Sequence, residues 1–271
     1  MDSQNNNLFS LGFSPCPNDT FIFHALVHGL VGGDCRLFRE PVLADVETLN
    51  EWALEGRLEV SKMSFAAYFH VRDKYILLNS GAALGRGCGP LLIAGREWPL
   101  REIKSKKIAI PGRYTTAAAL LKLFAPECGG LVPMRFDRIM EAVAAGEVDG
   151  GVIIHESRFI YPEYNLVCLR DLGAWWEEET GCPIPLGGIA ARRELGEEMV
   201  NRIDSCIRAS ISYGYEHPGA GYDYIKRHAD ELDDRVIDSH IKLYVNEFSR
   251  DLGREGRQAV DEFLRKMEGG R

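Results

Sequence analysis

Short apolar runs alternate with longer amphipathic stretches along most of this chain, and that alternation constrains its fold more than any other feature. It is the pattern of parallel strands joined by crossover helices, in which a strand is covered on both faces and each helix buries one. The spacing predicts a strand over 8–14 and a helix over 18–28 opened by "PNDT", where Asn18 or Asp19 caps free backbone amides. Strands over 36–43, 58–62 and 75–80 follow, with a helix over 46–54 between the first two. "GAALGRGCGPLLIAG", 81–95, then sets five glycines around a strand-like core. A second β-α series comes after it: a strand over 107–110, helices over 115–124 and 137–145, and a strand over 150–154. "GCPIPLGGIAARREL", 181–195, is a second strand punctuated by glycine and proline, and everything from there to Met267 is helical in pattern.

Two β-α series separated by two punctuated strands imply two lobes and two crossings between them. The expected fold class is α/β: a two-lobed type II periplasmic-binding-protein-like fold, each lobe a mainly parallel sheet flanked by helices, with a ligand cleft beside the carboxyl ends of the strands. Domain 1 is then discontinuous, 1–94 and 188–271 with the C-terminal helices, and domain 2 is an inserted lobe over 95–187.

At 271 residues, 45% hydrophobic and 27% charged, the chain has the makeup of a globular protein with a sizeable core. A formal net charge of −8 argues against a general affinity for nucleic acid or an anionic membrane, so an anionic ligand needs a local site. The start "MDSQNNNLFSLGFS" has neither the basic n-region nor the apolar core of a signal peptide. No later run approaches the roughly 18 apolar residues of a membrane span, and the expectation is a cytoplasmic protein. Its seven cysteines are odd in number, widely spaced and free of any CxxC pair, which favours reduced thiols over a disulfide frame or a zinc site.

Four polar clusters fall at predicted strand ends: "SPCPNDT", "SKMS", "PGRYTTAA" and "IIHESRF". Helix capping accounts for any one of them taken alone, and less well for four together that could face one cleft. Ser14, Asn18 and Asp19 are cleft candidates from the first. Lys62 brings a point charge and Ser64 a hydroxyl, with Met63 between them. Thr115 and Thr116 open "TTAAALLKLF", where free helix amides and two hydroxyls form a cradle suited to a carboxylate. His155 ends the apolar run "GGVII", rigidly held and able to take a proton near neutral pH. The other six histidines are not so placed: His24 and His28 share one helix, His70 follows another, and His217, His228 and His240 lie in the C-terminal helical segment. His24 and His28 have metal-like spacing but no glutamate of the zincin pattern, so no metal site is expected. Cys16 at a helix start is a candidate nucleophile, though its flanking prolines favour a rigid turn. "GRGCGP" lacks the GK[ST] of a P-loop and reads as hinge or close-packed backbone, and Trp175 and Trp176 as packing or an aromatic stacking surface.

Together "LGFSPCPNDTFIFHALVHG", "SKMSFAAYF", "GRGCGPLLIA", "DGGVIIHESRF" and "PIPLGGIAARREL" closely resemble the 1,4-dihydroxy-6-naphthoate synthase family of the futalosine route to menaquinone, over nearly the whole chain. The resemblance implies a cofactor-independent carbon-carbon lyase that breaks cyclic dehypoxanthine futalosine into 1,4-dihydroxy-6-naphthoate and dihydroxyacetone. It further implies that the catalytic base is His155 and that the substrate-binding segments are Lys62, Met63 and Ser64 with Thr115 and Thr116. Met63 stands where a smaller aliphatic residue is expected in the family, which bears on pocket shape. The expected partner is a small-molecule substrate carrying a carboxylate, with no nucleic acid and no membrane; a homodimer stays open. Chorismate dehydratase, of the same pathway and fold, and a solute-binding protein are the alternatives, since fold alone does not fix the reaction.

Overall fold

The computed structural model describes residues 8–229 and 233–270. The chain first runs through β1 (Leu11–Phe13), α1 (Pro17–Val27), β2 (Val42–Leu43), α2 (Val46–Glu55), β3 (Val60–Ser64), α3 (Phe65–Val71), β4 (Tyr75–Leu77) and β5 (Ala83–Gly85). Beyond 86–90 come β6 (Leu91–Ala94), β7 (Lys107–Ile110), α4 (Thr116–Phe124), β8 (Gly130–Pro133), α5 (Ile139–Ala144), β9 (Gly150–Ile153), α6 (Ser157–Ile160), β10 (Val167–Asp171) and α7 (Leu172–Thr180). Past 181–183 the chain forms β11 (Ile184–Arg192) and then α8 (Glu197–Glu216), α9 (Tyr222–His228), α10 (Asp234–Tyr244), α11 (Glu247–Arg250) and α12 (Gly253–Gly269).

One sheet has the order β2-β1-β3-β11-β4 with β5 also paired to β11; the other has the order β10-β6-β9-β7-β8. In the first, only β11 is reversed, antiparallel to β3, β4 and β5. In the second, only β6 is reversed, antiparallel to β9 and β10. The remaining pairings are parallel. This is the two-lobed, mainly parallel α/β fold of the type II binding-protein kind. Taken from β8, the second sheet reads β8-β7-β9-β6-β10, so both sheets share one plan: second strand, first, third, the reversed strand that follows a crossing, then the fourth. The turns after β1 and β7 are therefore equivalent, as are those after β3 and β9. These four turns hold the four polar clusters.

Several elements differ from the sequence reading. Leu91–Ala94 pairs in the five-stranded sheet and Ile184 in the six-stranded one, so the sheets divide at 86–90 and 181–183 rather than at 94 and 187. The strand expected over 36–43 shrinks to Val42–Leu43 with a single Phe9–Phe38 bridge, Pro41 lying between them without an amide to donate. Strands β8 and β10 and helix α7 add to the second lobe. A disulfide joins Cys35, in the loop before β2, to Cys206 of α8, against the expectation of reduced thiols throughout. The partners stand 171 residues apart, a separation that carries no spacing signature.

The largest apolar cluster belongs to both lobes: Phe65, Leu84 and Phe263 from one side pack with Leu92, Ile108, Leu120 and Trp176 from the other. Among the described residues no helix is long and apolar enough to cross a membrane.

Candidate active site

The four turns enclose a cavity of about 700 Å³, mouth included, between the lobes. Ser14, Asn18, Asp19, Lys62, Met63, Ser64, Thr115, Thr116 and His155 all line it, so the candidates from the four polar clusters are brought to one place, while Cys16, Trp175 and Trp176 are not among its lining residues.

From the first lobe the cavity receives a buried ion pair. Lys62 and Asp19 are 5% and 1% exposed, and Lys62 Nζ donates to Asp19 Oδ1 at 2.5 Å and to the Gly81 carbonyl at 3.2 Å. Such burial is tolerable only with further hydrogen bonds. Asp19 has them: its Oδ2 accepts from the Ser14 hydroxyl at 2.7 Å and amide at 3.2 Å, and its Oδ1 also accepts from Asn18 Nδ2 at 2.9 Å. Asn50 of α2 fixes Ser64 twice, accepting from its amide at 2.8 Å and donating to its hydroxyl at 3.1 Å. Met63 packs among Ala53, Ala67, Tyr75 and Ala190.

From the second lobe come Thr115 and Thr116. Here the cradle is narrower than expected, because the protein itself engages both hydroxyls. Thr115 Oγ1 caps α4, accepting from the Ala118 amide at 3.2 Å and donating to the Gly112 carbonyl at 3.0 Å. Thr116 Oγ1 bridges the lobes, donating to the Leu186 carbonyl at 2.7 Å and accepting from the Ala66 amide at 3.3 Å. The backbone amides of Thr116 and Ala117, first in the helix, keep no partner among the described residues, and free amides at a helix start suit an anion. Glu47 makes a second bridge: its carboxylate accepts from the amides of Arg113 and of Tyr114, the latter at 3.1 Å, and burial pushes its pKa up. Gly112 allows that approach, since a Cβ there would lie 2.3 Å from the Glu47 carboxyl carbon.

His155 follows β9 with φ at 56°, in the left-handed region that non-glycine residues seldom occupy. Its ring stands edge-on to Phe136 at 5.1 Å. Nε2 is shielded from solvent and has no hydrogen-bond partner among the described residues. Burial pushes the imidazole down to about 4, with Asp19 acting against the shift and Lys62 with it. This corrects the expectation of titration near neutrality: the group is a neutral acceptor throughout the physiological range.

Sequence reasoning missed the contribution of α10. Tyr244 lines the cavity, and burial raises its phenol pKa. His240, set aside as part of a remote helical segment, is fully buried with its ring parallel to that of His155, centroids 6.0 Å apart. The available signal was one buried helix face carrying Ile237, His240 and Tyr244 at helical spacing, with two polar side chains where aliphatic ones would serve packing.

The competing motifs resolve as structure. His24 and His28 pack against each other with tilted rings and against Tyr224, His28 edge-on to it, and no cluster of three or more metal-ligating side chains occurs among the described residues. Cys16 is the buried N-cap residue of α1. In "GRGCGP", a Cβ on Gly89 would sit 2.3 Å from Gly173 Cα, so that glycine serves close backbone packing at the crossing. Trp176 is core and donates to the Pro183 carbonyl at 3.2 Å, while Trp175 packs edge-on to Phe124 at 5.4 Å.

Two lobes of matching plan around a cleft define the class of periplasmic-binding-protein-like folds. Solved structures bear this out: the ligand-binding component of an import system from Staphylococcus aureus covers 96% of this chain and 92% of its own at TM-score 0.67 and 13% identity. The aliphatic sulphonate binding protein of Escherichia coli covers 96% and 88% at 0.62 and 11%. A protein of Archaeoglobus fulgidus is far nearer, at TM-score 0.91 and 36% identity over 98% of both chains. Residues 9–269 match the family described as menaquinone biosynthesis. A 1,4-dihydroxy-6-naphthoate synthase of Thermus thermophilus is 56% identical over 95% of this chain and 93% of its own, and one of Streptomyces coelicolor 44% over 92% and 89%. The chain belongs to the menaquinone-biosynthesis family, in the branch of the 1,4-dihydroxy-6-naphthoate synthases.

Proposed function

We propose that this enzyme is a carbon-carbon lyase that converts cyclic dehypoxanthine futalosine to 1,4-dihydroxy-6-naphthoate and dihydroxyacetone, with His155 as general base. One observation carries the reading: His155 lines the cavity, burial favours its neutral imidazole, and its Nε2 has no hydrogen-bond partner among the described residues. A substrate hydroxyl would supply the missing hydrogen bond and then its proton. The opened sugar first isomerises its aldehyde to the adjacent ketone; the ring carbon bearing the hydroxyl then becomes a carbonyl as its carbon-carbon bond breaks, and the electron pair passes to the ketone of the three-carbon fragment, whose enediolate takes back the proton from Nε2 and leaves as dihydroxyacetone. The ring diketone then enolises, through a ring oxyanion, to the aromatic naphthalenediol. Atoms and electrons balance without a co-reactant, and aromatisation supplies the driving force.

The substrate carboxylate is assigned to the free amides of Thr116 and Ala117, where the helix dipole favours negative charge. Lys62, Met63 and Ser64 form the facing wall. Bridging of the cleft by Glu47 and Thr116 excludes water during the reaction. Purified protein with cyclic dehypoxanthine futalosine and no added cofactor should release the naphthoate, whereas chorismate should be left unchanged. His155→Asn should lower kcat by about 10²–10⁴ while still binding product. A folded variant with normal kcat would refute His155 as base, and turnover of chorismate instead would refute the reaction.

A further inference from the structure

Among the buried polar groups that the mechanism above leaves unused are His240 and the amide of Asn18. His240 Nε2 lies 3.0 Å from Asn18 Oδ1, and Asn18 Nδ2 lies 2.9 Å from Asp19 Oδ1. The atom assignments follow from chemistry. Asp19 is the partner of the Lys62 ammonium and can only accept, so Asn18 must turn its NH₂ toward it. Asn18 Oδ1 then faces His240, and His240 must donate from Nε2. Turned over, the amide would set its oxygen against the Asp19 carboxylate. Asp19 thus sets which end of Asn18 is donor and which acceptor, and the bond to His240 holds the amide in that orientation.

Two donors are left over by this arrangement. Lys62 spends two of its three N–H groups, on Asp19 Oδ1 and the Gly81 carbonyl. Asn18 Nδ2 spends one of two, on the same carboxylate oxygen. Both residues line the cavity, and their unspent N–H groups sit beside a shared acceptor. A pair of fixed donors in a dry cleft is what a developing oxyanion needs.

We propose that Lys62 and Asn18 form an oxyanion-stabilising pair for the ring ketone oxygen of the substrate, and that His240 is a positioning residue that holds the Asn18 amide in its donor-forward orientation. The proposal rests on the lyase reading, because that reaction puts negative charge on a ring oxygen. His240 reaches the substrate only through Asn18. Around His240 lie the His155 and Tyr244 rings and Glu156, whose Oε2 is 3.7 Å from His240 Nδ1. Burial, with His155 and Lys62 adding to it, holds the His240 pKa well below the ordinary histidine value. The ring therefore keeps one proton, and the Asn18 bond places it on Nε2.

The test compares His240→Met, His240→Gln, Asn18→Leu and the His240→Met/Asn18→Leu double variant. His240→Met should lower kcat by about 10²-fold with little change in KM, because the lost donor acts on charge that exists only in the transition state. His240→Gln, which keeps an amide donor, should recover most of the rate. In the double variant, the loss should be no greater than in Asn18→Leu alone, since His240 acts through Asn18.

A second readout needs no turnover. Bound 1,4-dihydroxy-6-naphthoate, titrated anaerobically by its naphtholate absorbance, should ionise about one pH unit below the free product in the unmodified enzyme. The shift should shrink in Asn18→Leu and His240→Met, where only Lys62 of the pair is left in place. Additive losses in the double variant, an unchanged kcat in His240→Met, or an unshifted naphthol in the unmodified enzyme would each overturn the proposal. A shifted naphthol together with an active His155→Asn would remove the base assignment and leave the oxyanion pair standing.

Discussion

Lowering the pH is the sharpest perturbation of His155, because its consequence differs in size from that for an ordinary histidine. With the imidazole at about 4 rather than at its usual 6.5, it stays about 97% neutral at pH 5.5, where an unshifted ring would be only about 9% neutral. Between pH 7.5 and 5.5, kcat/KM should therefore stay nearly flat instead of falling about tenfold. Initial rates followed by naphthoate absorbance at constant ionic strength measure this. The same shift acts on stability. Because the folded value lies below the unfolded one, the contribution is full above about pH 6.5 and is lost as pH falls toward 4. Between pH 7.5 and 4.5 the loss is about 2–3 kcal/mol, roughly 5–10 °C in Tm for a chain of this size. His155→Asn should remove that part of the pH dependence. His240, depressed mainly for the same reason, adds to the decline with the same sign, and in the variant it keeps the part that burial and Lys62 cause. An acid limb in kcat/KM near pH 6.5, absent from His155→Asn, would refute the argument from burial.

Three further outcomes follow from the bonds that tie the lobes and the first sheet. Thr116→Val strands the Ala66 amide and the Leu186 carbonyl, so it should cost about 1–3 kcal/mol of stability, read as a lower urea midpoint, and raise KM; an unchanged midpoint and KM would count against the bridge. Glu47→Ala removes a charged acceptor from the Arg113 and Tyr114 amides, which should raise KM about tenfold and enlarge the radius of gyration in small-angle scattering; identical profiles and kinetics would show that the cleft closes without it. Reducing the Cys35–Cys206 bond should lower stability by about 2–5 kcal/mol and leave kcat intact, because both cysteines lie away from the cavity; an unchanged melting curve under reductant would contradict the pairing.

Much of the site was legible because strand-to-helix turns have a local grammar. "PNDT", "SKMS", "TT" and "HES" announce caps, and in a doubly wound sheet the caps at carboxyl ends are also where ligands sit. The shared strand order that makes the four turns converge was not legible, since it is a property of pairing and leaves no repeat in the residues. Strands β8 and β10 escaped for another reason. "GLVP" and "VCLRD" are edge strands, half-buried and short of aliphatic residues, one ending in proline. His240 escaped because helical periodicity identifies a buried face without naming what that face meets. The roles of Thr115 and Thr116 were legible only in part: their side chains suit both ligand and cap, and only tertiary partners decide between the two.

The apolar cluster common to both lobes has a consequence for how the molecule comes apart. Phe263 and Phe65 from one lobe and Trp176 and Leu120 from the other are all buried in the same cluster, so neither sheet can lose its structure without uncovering the other's packing. The two lobes are thereby joined into one cooperative unit, and heat or denaturant should meet a single transition in place of two. A protease in the cell accordingly encounters either the whole folded chain or the whole open one, with no surviving half-molecule to hold substrate without converting it.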